Sequence, residues 1–292
     1  MSTRGAAIHF AFAIACSMVA CFPSADARAE TLLERGAYLV RGIAACGDCH
    51  TPRDANGHHI ESMEMAGGYE MDLMPLGKPV VPNITPDKET GIGNWTDEQI
   101  IIAIREGKRP DGTIIGPPMP IPFYRQISDR DVQAIVAYLR ALSPLHNAVA
   151  KSVYERPLPP SYGPPVKSVP EVPTSDKVAY GAYLAGPLGH CMECHTPMDK
   201  GRLDITRLGT GGREFKGENG SVIVSANLTP DKTNGIGNWS DEAVKNAITK
   251  NIRPDGSPLV PFMPTEWFAR MSDADLDAIV AYLRTLKPVP SR

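Results

Sequence analysis

From Ser128 the chain reads Ser-Asp-Arg-Asp, and then Val132, Ile135, Val136 and Leu139 return at steps of three, four and seven. That spacing puts the apolar residues on one face of a helix behind a polar N-terminus. Ser272-Asp-Ala-Asp275 opens a second helix of the same kind. Thr31-Leu-Leu-Glu34 has the form of a capping box and predicts a helix running toward Ala45. Thr96-Asp-Glu-Gln99 predicts another, ending near Glu106. Between these segments lie Gly- and Pro-rich stretches such as Gly116–Pro122, and strand signals are poor. The pattern predicts an all-α chain of short helices hung on long loops. Such helices make a weak core unless something central is packed by them.

Self-comparison changes the picture most, because the chain is written twice. Asn83-Ile-Thr-Pro-Asp-Lys-Glu-Thr-Gly-Ile-Gly-Asn-Trp95 recurs as Asn227-Leu-Thr-Pro-Asp-Lys-Thr-Asn-Gly-Ile-Gly-Asn-Trp239. Arg109-Pro-Asp-Gly112 recurs as Arg253-Pro-Asp-Gly256, and Ala134-Ile-Val-Ala-Tyr-Leu-Arg140 as Ala278-Ile-Val-Ala-Tyr-Leu-Arg284. The proline-rich stretch between the copies opposes helix and favours extended backbone laid over the surface. The expected organisation is a domain over 30–145, a linker over 146–173 and a domain over 174–292.

Residues 1–29 read as an export signal: Arg4 supplies the positive start, Ala6 to Phe22 is apolar, and small-x-small sites follow at Ala25–Ala27 and Ala27–Ala29. The expected location is the periplasm. Met18-Val19-Ala20-Cys21 is a degenerate lipoprotein box, so a lipid anchor at Cys21 is the alternative. No later segment is apolar and long enough to span a bilayer. The net charge of −3 speaks against nucleic acid as a partner, which calls for a clustered basic surface. Aromatics are sparse, at 7%, as in a core completed by something other than protein.

Both copies contain Cys-x-x-Cys-His-Thr-Pro: Cys46, Cys49 and His50 in the first, Cys191, Cys194 and His195 in the second. A redox disulfide would need a thioredoxin-like strand–helix pattern, which is absent, and would not need the histidine. A zinc site would want four converging ligands, and each copy supplies only three. Covalent haem needs this set. Cysteines at i and i+3 lie on one side of a helical turn and both reach one porphyrin edge, while the adjacent imidazole turns under the iron. Two haem c groups are therefore expected, with His50 and His195 as axial ligands.

The sixth ligand decides between electron transfer and chemistry at an open iron. Only one methionine pair coincides at the repeat offset, Met119 and Met263, each followed by proline. His/Met ligation raises the potential and favours reversible electron transfer. His58, His59, His146 and His190 have no counterpart and read as solvated or loop residues. The free N–H of each axial imidazole would be held by a backbone carbonyl near Val81-Pro82 and near Ser225-Ala226. Trp95, Trp239, Arg109 and Arg253 are candidate donors to haem propionates. Tyr138 and Tyr282 would pack the last helix of each copy on the first, near Gly36 and Gly181.

The Asn-[Ile/Leu]-Thr-Pro-Asp-Lys-x-x-Gly-Ile-Gly-Asn-Trp-[Thr/Ser]-Asp-Glu block behind Cys-x-x-Cys-His-Thr-Pro resembles the haem domains of cytochrome c subunits of bacterial alcohol, gluconate and related dehydrogenases. The resemblance covers nearly everything except the linker. It implies two tandem class I cytochrome c-like domains with His/Met haems, His50 with Met119 and His195 with Met263. It implies a periplasmic dehydrogenase as electron donor and a cytochrome, oxidase or quinone as acceptor. Many such subunits carry three haem domains and a C-terminal membrane helix, whereas this sequence carries two, which favours a soluble or lipid-tethered relay. The expected role is thus an electron carrier with no catalytic residues. The rival is a dihaem redox enzyme, of peroxidase or thiosulfate-oxidising type, with one exchangeable axial position.

Overall fold

The structure, a computed structural model, describes residues 29–217 and 220–289. The expected leader through residue 28, with Cys21, lies outside the described residues. From Thr31 onward the chain forms one compact unit.

The first half holds α1 (Leu32–Arg41), α2 (Cys46–His50), α3 (Asp97–Glu106), α4 (Ile121–Tyr124) and α5 (Asp129–Ala141). The second repeats the order as α6 (Lys177–Tyr183), α7 (Cys191–Cys194), α8 (Asp241–Lys250), α9 (Thr265–Phe268) and α10 (Asp273–Thr285). The caps read from sequence form. Thr31 and Thr96 close capping boxes with Glu34 and Gln99, and the Ser128 and Ser272 hydroxyls accept from the third amides of α5 and α10. The expected run of α1 to Ala45 is too long. The helix stops at Arg41, Gly42 leaves helical geometry, and Ala45 in left-handed backbone starts α2 afresh.

In each half the last helix crosses the first at a glycine. A Cβ on Gly36 would lie 1.9 Å from the Ala134 carbonyl oxygen, and one on Gly181 would lie 1.9 Å from that of Ala278. The Tyr138 and Tyr282 side chains pack beside these crossings, as expected. The stripe Val132, Ile135, Val136, Leu139 and its copy Leu276, Ile279, Val280, Leu283 are all buried in the core.

The structure is not purely helical. Among the described residues there are three two-stranded antiparallel ribbons: β1 (Gly77–Lys78) with β2 (Val153–Tyr154), β3 (Met198–Asp199) with β4 (Arg202–Leu203), and β5 (Glu214–Lys216) with β6 (Val222–Val224). Strands this short carry no alternating pattern to read. The linker supplies β2, so it is part of the first half's surface. The Tyr154 hydroxyl donates to the Pro117 carbonyl (2.9 Å), the Tyr162 hydroxyl donates to that of Ile115 (2.9 Å), and the Val169 carbonyl accepts from the Asp129 amide (2.9 Å). No helix among the described residues is long and apolar enough to cross a membrane.

The halves clasp each other reciprocally. Tyr38 on α1 donates to Asp275 Oδ2 of α10 (2.7 Å) and accepts from the Ser272 amide (2.9 Å). Tyr183 on α6 donates to Asp131 Oδ2 of α5 (2.7 Å) and accepts from the Ser128 amide (3.1 Å). The residues are repeat equivalents, so the contact is self-complementary like that of a twofold dimer. One position breaks the symmetry: Arg35 forks onto Asp131 at 2.8 and 3.1 Å, and its counterpart is Tyr180. Burial pushes the Tyr38 phenol up to about 12, so it stays a donor at any ordinary pH.

Three stability effects should follow in urea unfolding of the intact chain. Gly36→Ala or Gly181→Ala should cost about 1–3 kcal/mol by overpacking the helix crossing. Asp131→Ala should cost about 3–5 kcal/mol because it strands the Arg35 guanidinium. Asp275→Ala, which strands only a phenol, should cost about 1–3 kcal/mol.

Candidate functional site

The two Cys-x-x-Cys-His turns are built alike from the chain upward. Ala45 and His190 precede them with φ of 44° and 39°, left-handed values that non-glycine residues adopt at a cost of about 1–2 kcal/mol. Their carbonyls accept the first amide bonds of the turns, from Asp48 (2.9 Å) and Glu193 (2.8 Å). Neither position stood out in the sequence, since alanine and histidine share no pattern. The strain sits where two thiols must be set on one side of a helical turn.

All four thiols are free and half-buried. Burial pushes Cys46, Cys49 and Cys191 up to about 12 and Cys194 to about 11.

Each histidine is held at both ends. His50 Nδ1 lies 2.9 Å from the Pro82 carbonyl oxygen, and His195 Nδ1 lies 2.8 Å from that of Ala226. These are the carbonyls expected from the sequence. A carbonyl only accepts, so Nδ1 carries the proton and the Nε2 lone pair is free to bind a metal. Burial pushes His50 down to about 4 and lowers His195, the carbonyl bonds opposing it, so both rings are neutral at physiological pH. The backbone oxygens of His50 and His195 accept from the amides of Gly67 (2.7 Å) and Gly211 (2.8 Å). Both glycines have positive φ, and a Cβ on either would lie 2.4 Å from the peptide carbon of Pro82 or Ala226.

The long repeat motif exists to hold that carbonyl. The Asn83 side chain accepts from the Thr85 amide (2.9 Å) and donates to the Leu145 carbonyl (2.7 Å). Asn227 does the same with Thr229 (2.9 Å) and Val289 (3.0 Å). The threonines after the histidines are buried, and their hydroxyls accept from the amides of Met65 (3.3 Å) and Gly209 (3.2 Å).

Met119 and Met263 are half-buried on the Pro-rich loops that lead into α4 and α9. Met65, Met192 and Met271 are core filler, and Met74 and Met198 are exposed. Arg109 and Arg253 donate to carbonyls of their own loops, Ile114 at 3.0 Å and Pro258. Trp95 and Trp239 are half-buried against the core, and their carbonyls accept from Arg140 and Arg284.

Two histidine readings need correction. His58 and His146 are solvated, but His59 and His190 lie at the boundary between halves. His59 Nδ1 is 2.8 Å from Glu266 of α9, and its Nε2 is 3.1 Å from the Asp48 carbonyl oxygen. Asp48, His59 and Glu266 could be mistaken for a metal site. The two carboxylates face opposite ring nitrogens, and Arg53 already pairs with Asp48 at 3.0 Å, so the group is a strap between halves. The His190 ring meets Tyr124 edge-on at 6.0 Å.

Sequence reasoning missed Trp267. From α9 its ring lies on Gly47, between the attachment cysteines of the other half, where an added Cβ would be 2.1 Å from the indole. Its Nε1 is buried without a partner. Two cysteines on one turn and an imidazole with its metal-binding nitrogen free are the donor set a covalent haem requires, and beside the first turn the indole offers a further unpaired donor. Phe123 occupies the equivalent position, so no repeated motif pointed to Trp267. Trp267→Ala should cost about 3–5 kcal/mol. It should also speed hydrogen exchange at the Asp48 and Thr51 amides, which belong to the opposite half.

Residues 33–143 and 178–287 each match the cytochrome c family model. The chain is 32% identical over 286 residues to the cytochrome c subunit of a quinone alcohol dehydrogenase of Gluconobacter oxydans, covering 89% of this chain and 56% of that protein. It is 30% identical over 277 residues to a gluconate 2-dehydrogenase cytochrome c subunit of Pantoea cypripedii, covering 89% and 61%. It is 30% identical over 259 residues to a dihaem c-type cytochrome of Cereibacter sphaeroides, covering 84% and 82%. The chain thus spans little more than half the length of the dehydrogenase subunits it matches. With one family domain in each half and an attachment turn in each, the chain belongs to the cytochrome c family and carries two covalently bound haem c groups.

Proposed function

We propose that the chain is a dihaem electron carrier. It receives electrons one at a time from a partner dehydrogenase in the periplasm and delivers them to a downstream cytochrome, oxidase or quinone. The observation that carries this reading is the in-register pair Met119 and Met263, half-buried on equivalent loops; Met63 and Met71 are half-buried too, but neither has a methionine at its repeat position. The matched dehydrogenase subunits named above support the donor class.

On this reading Cys46, Cys49, Cys191 and Cys194 attach the two groups, His50 with Met119 closes one iron, and His195 with Met263 closes the other. The haem iron supplies the one-electron redox change. The chain's part is to hold ligands still. Pro82 and Ala226 fix the tautomer and orientation of each imidazole. Thioether sulfur is a soft ligand that keeps the potential high. No acid, base or nucleophile has a part in this role. Export by residues 1–29, or tethering at Cys21, would bring the chain to the compartment where such a donor works.

Met119→Ala and Met263→Ala, made separately, should each lower the potential of one centre and leave two haems per chain. Each variant should also let one ferrous centre bind carbon monoxide, which the unsubstituted chain should not. Absorbance spectroscopy and potentiometric titration read both effects. A variant whose spectrum and potentials do not change would mean that its iron uses another ligand, and the dihaem redox enzyme would become the better reading.

A further inference from the structure

The repeat allows one half to serve as a template for the other, and the two differ at one face. In the first half, backbone around Tyr69–Leu73 and Gly77–Val81 forms a hairpin: the Val81 amide donates to the Tyr69 carbonyl (2.9 Å) and the Met71 amide donates to that of Pro79 (3.0 Å). The linker lies along its outer edge as a third strand. Gly77 faces Tyr154, Lys78 faces Val153, the Glu155 amide donates to the Leu76 carbonyl (2.9 Å) and the Val80 amide donates to Ser152 Oγ (3.1 Å). From that strand the Tyr154 ring and Leu158 cover Gly116 on the Met119 loop.

In the second half the equivalent hairpin is β5–β6, with Lys216 opposite Val222 and Glu214 opposite Val224. The Ser225 amide and the Ser221 carbonyl bond toward β5, at 2.9 and 2.7 Å. By the alternation of an antiparallel ladder, the amides and carbonyls of Val222 and Val224 face away from it. Among the described residues no strand lies on that side. Val222 is 65% exposed and Val224 57%; on the Met263 loop Val260 is 54% exposed and Phe262 45%, the Phe262 ring packing on Phe215 of β5 at 5.0 Å. Soluble proteins blunt open edges with lysine or proline. Here the covered edge carries Lys78 and the open one carries two valines.

We propose that the outer edge of β6 and the adjoining Val260–Phe262 loop form a strand-accepting site for an extended segment of a partner polypeptide. The occupant is defined by what the linker does in the first half. A strand satisfies the outward amides, which a lipid surface does not. Gly116, which makes room for the Tyr154 ring, is replaced by Val260, so the partner residue facing Ser221 is a small aliphatic one rather than an aromatic. The ribbon meets the Met263 loop where Phe215 of β5 packs on Phe262. The proposal uses only the backbone and side chains of this face, and it stands or falls apart from the assignment of iron ligands.

The test uses the intact, haem-loaded chain and a synthetic peptide of residues 150–158 carrying Tyr154→Val. Amide exchange at Val222 and Val224 should slow with added peptide and saturate below about 1 mM. The peptide with its native tyrosine should bind more weakly. Val222→Pro should abolish the protection. Val260→Glu, a loop change that leaves the ribbon intact, should weaken it if the proline variant loses haem or fold. No protection at millimolar peptide, or protection indifferent to both substitutions, overturns the proposal. Slowed exchange without peptide that grows with protein concentration, together with a doubled sedimentation mass, would assign the edge to a second copy and also overturn it.

Discussion

The hydrogen bond from the imidazole of each Cys-x-x-Cys-His turn to a backbone carbonyl organises the rest of the molecule. A neutral ring with a fixed tautomer needs an acceptor on one nitrogen, and here that acceptor is a main-chain oxygen, Pro82 or Ala226. A backbone oxygen is only as steady as its loop. The Asn83 and Asn227 side chains, the glycines at 67 and 211 and the buried threonines at 51 and 196 all converge on that steadiness. The longer helices frame these loops, while the short turns α2 and α7 carry the cysteines.

The interface between halves makes two similar units into one body. Each unit caps the last helix of the other with a tyrosine, and each attachment turn meets an aromatic ring from across the boundary, Trp267 on Gly47 and Tyr124 on His190. The tyrosine caps are equivalent in position, whereas the ring contacts are not, since Tyr124 corresponds by the repeat to Phe268 and Gly47 to Met192. Arg35 neutralises one interfacial carboxylate and has no basic counterpart, and an indole stands where the copy has Phe123. Such differences give two identical cofactors different surroundings, a general route to unequal potentials.

Much of this was legible in the sequence because the repeat acts as its own control. The Cys-x-x-Cys-His turns, the Ser128 and Ser272 caps, the glycine crossings and the two carbonyls were found because two copies agreed. Where the copies disagree the sequence was silent. Trp267, His59 and the left-handed Ala45 are single occurrences whose roles come from the other half or from the backbone, and no periodicity encodes them. The ribbons were missed because strands of two or three residues are too short to alternate. The linker was read as extended and lying on the surface, which it is, but prolines do not say what lies beneath them.

That linker draws a boundary different from the one the family match suggests. The match in the first half ends at residue 143, yet Leu145, Val153, Tyr154, Tyr162 and Val169 all complete bonds that begin before it. A fragment cut at 143 would bare the floor under Gly116 and leave the Asn83 amide with one acceptor fewer. As the polypeptide emerges in order during synthesis, the first unit therefore cannot reach its finished shape until some twenty-five further residues have followed it out, roughly the length of the tether itself.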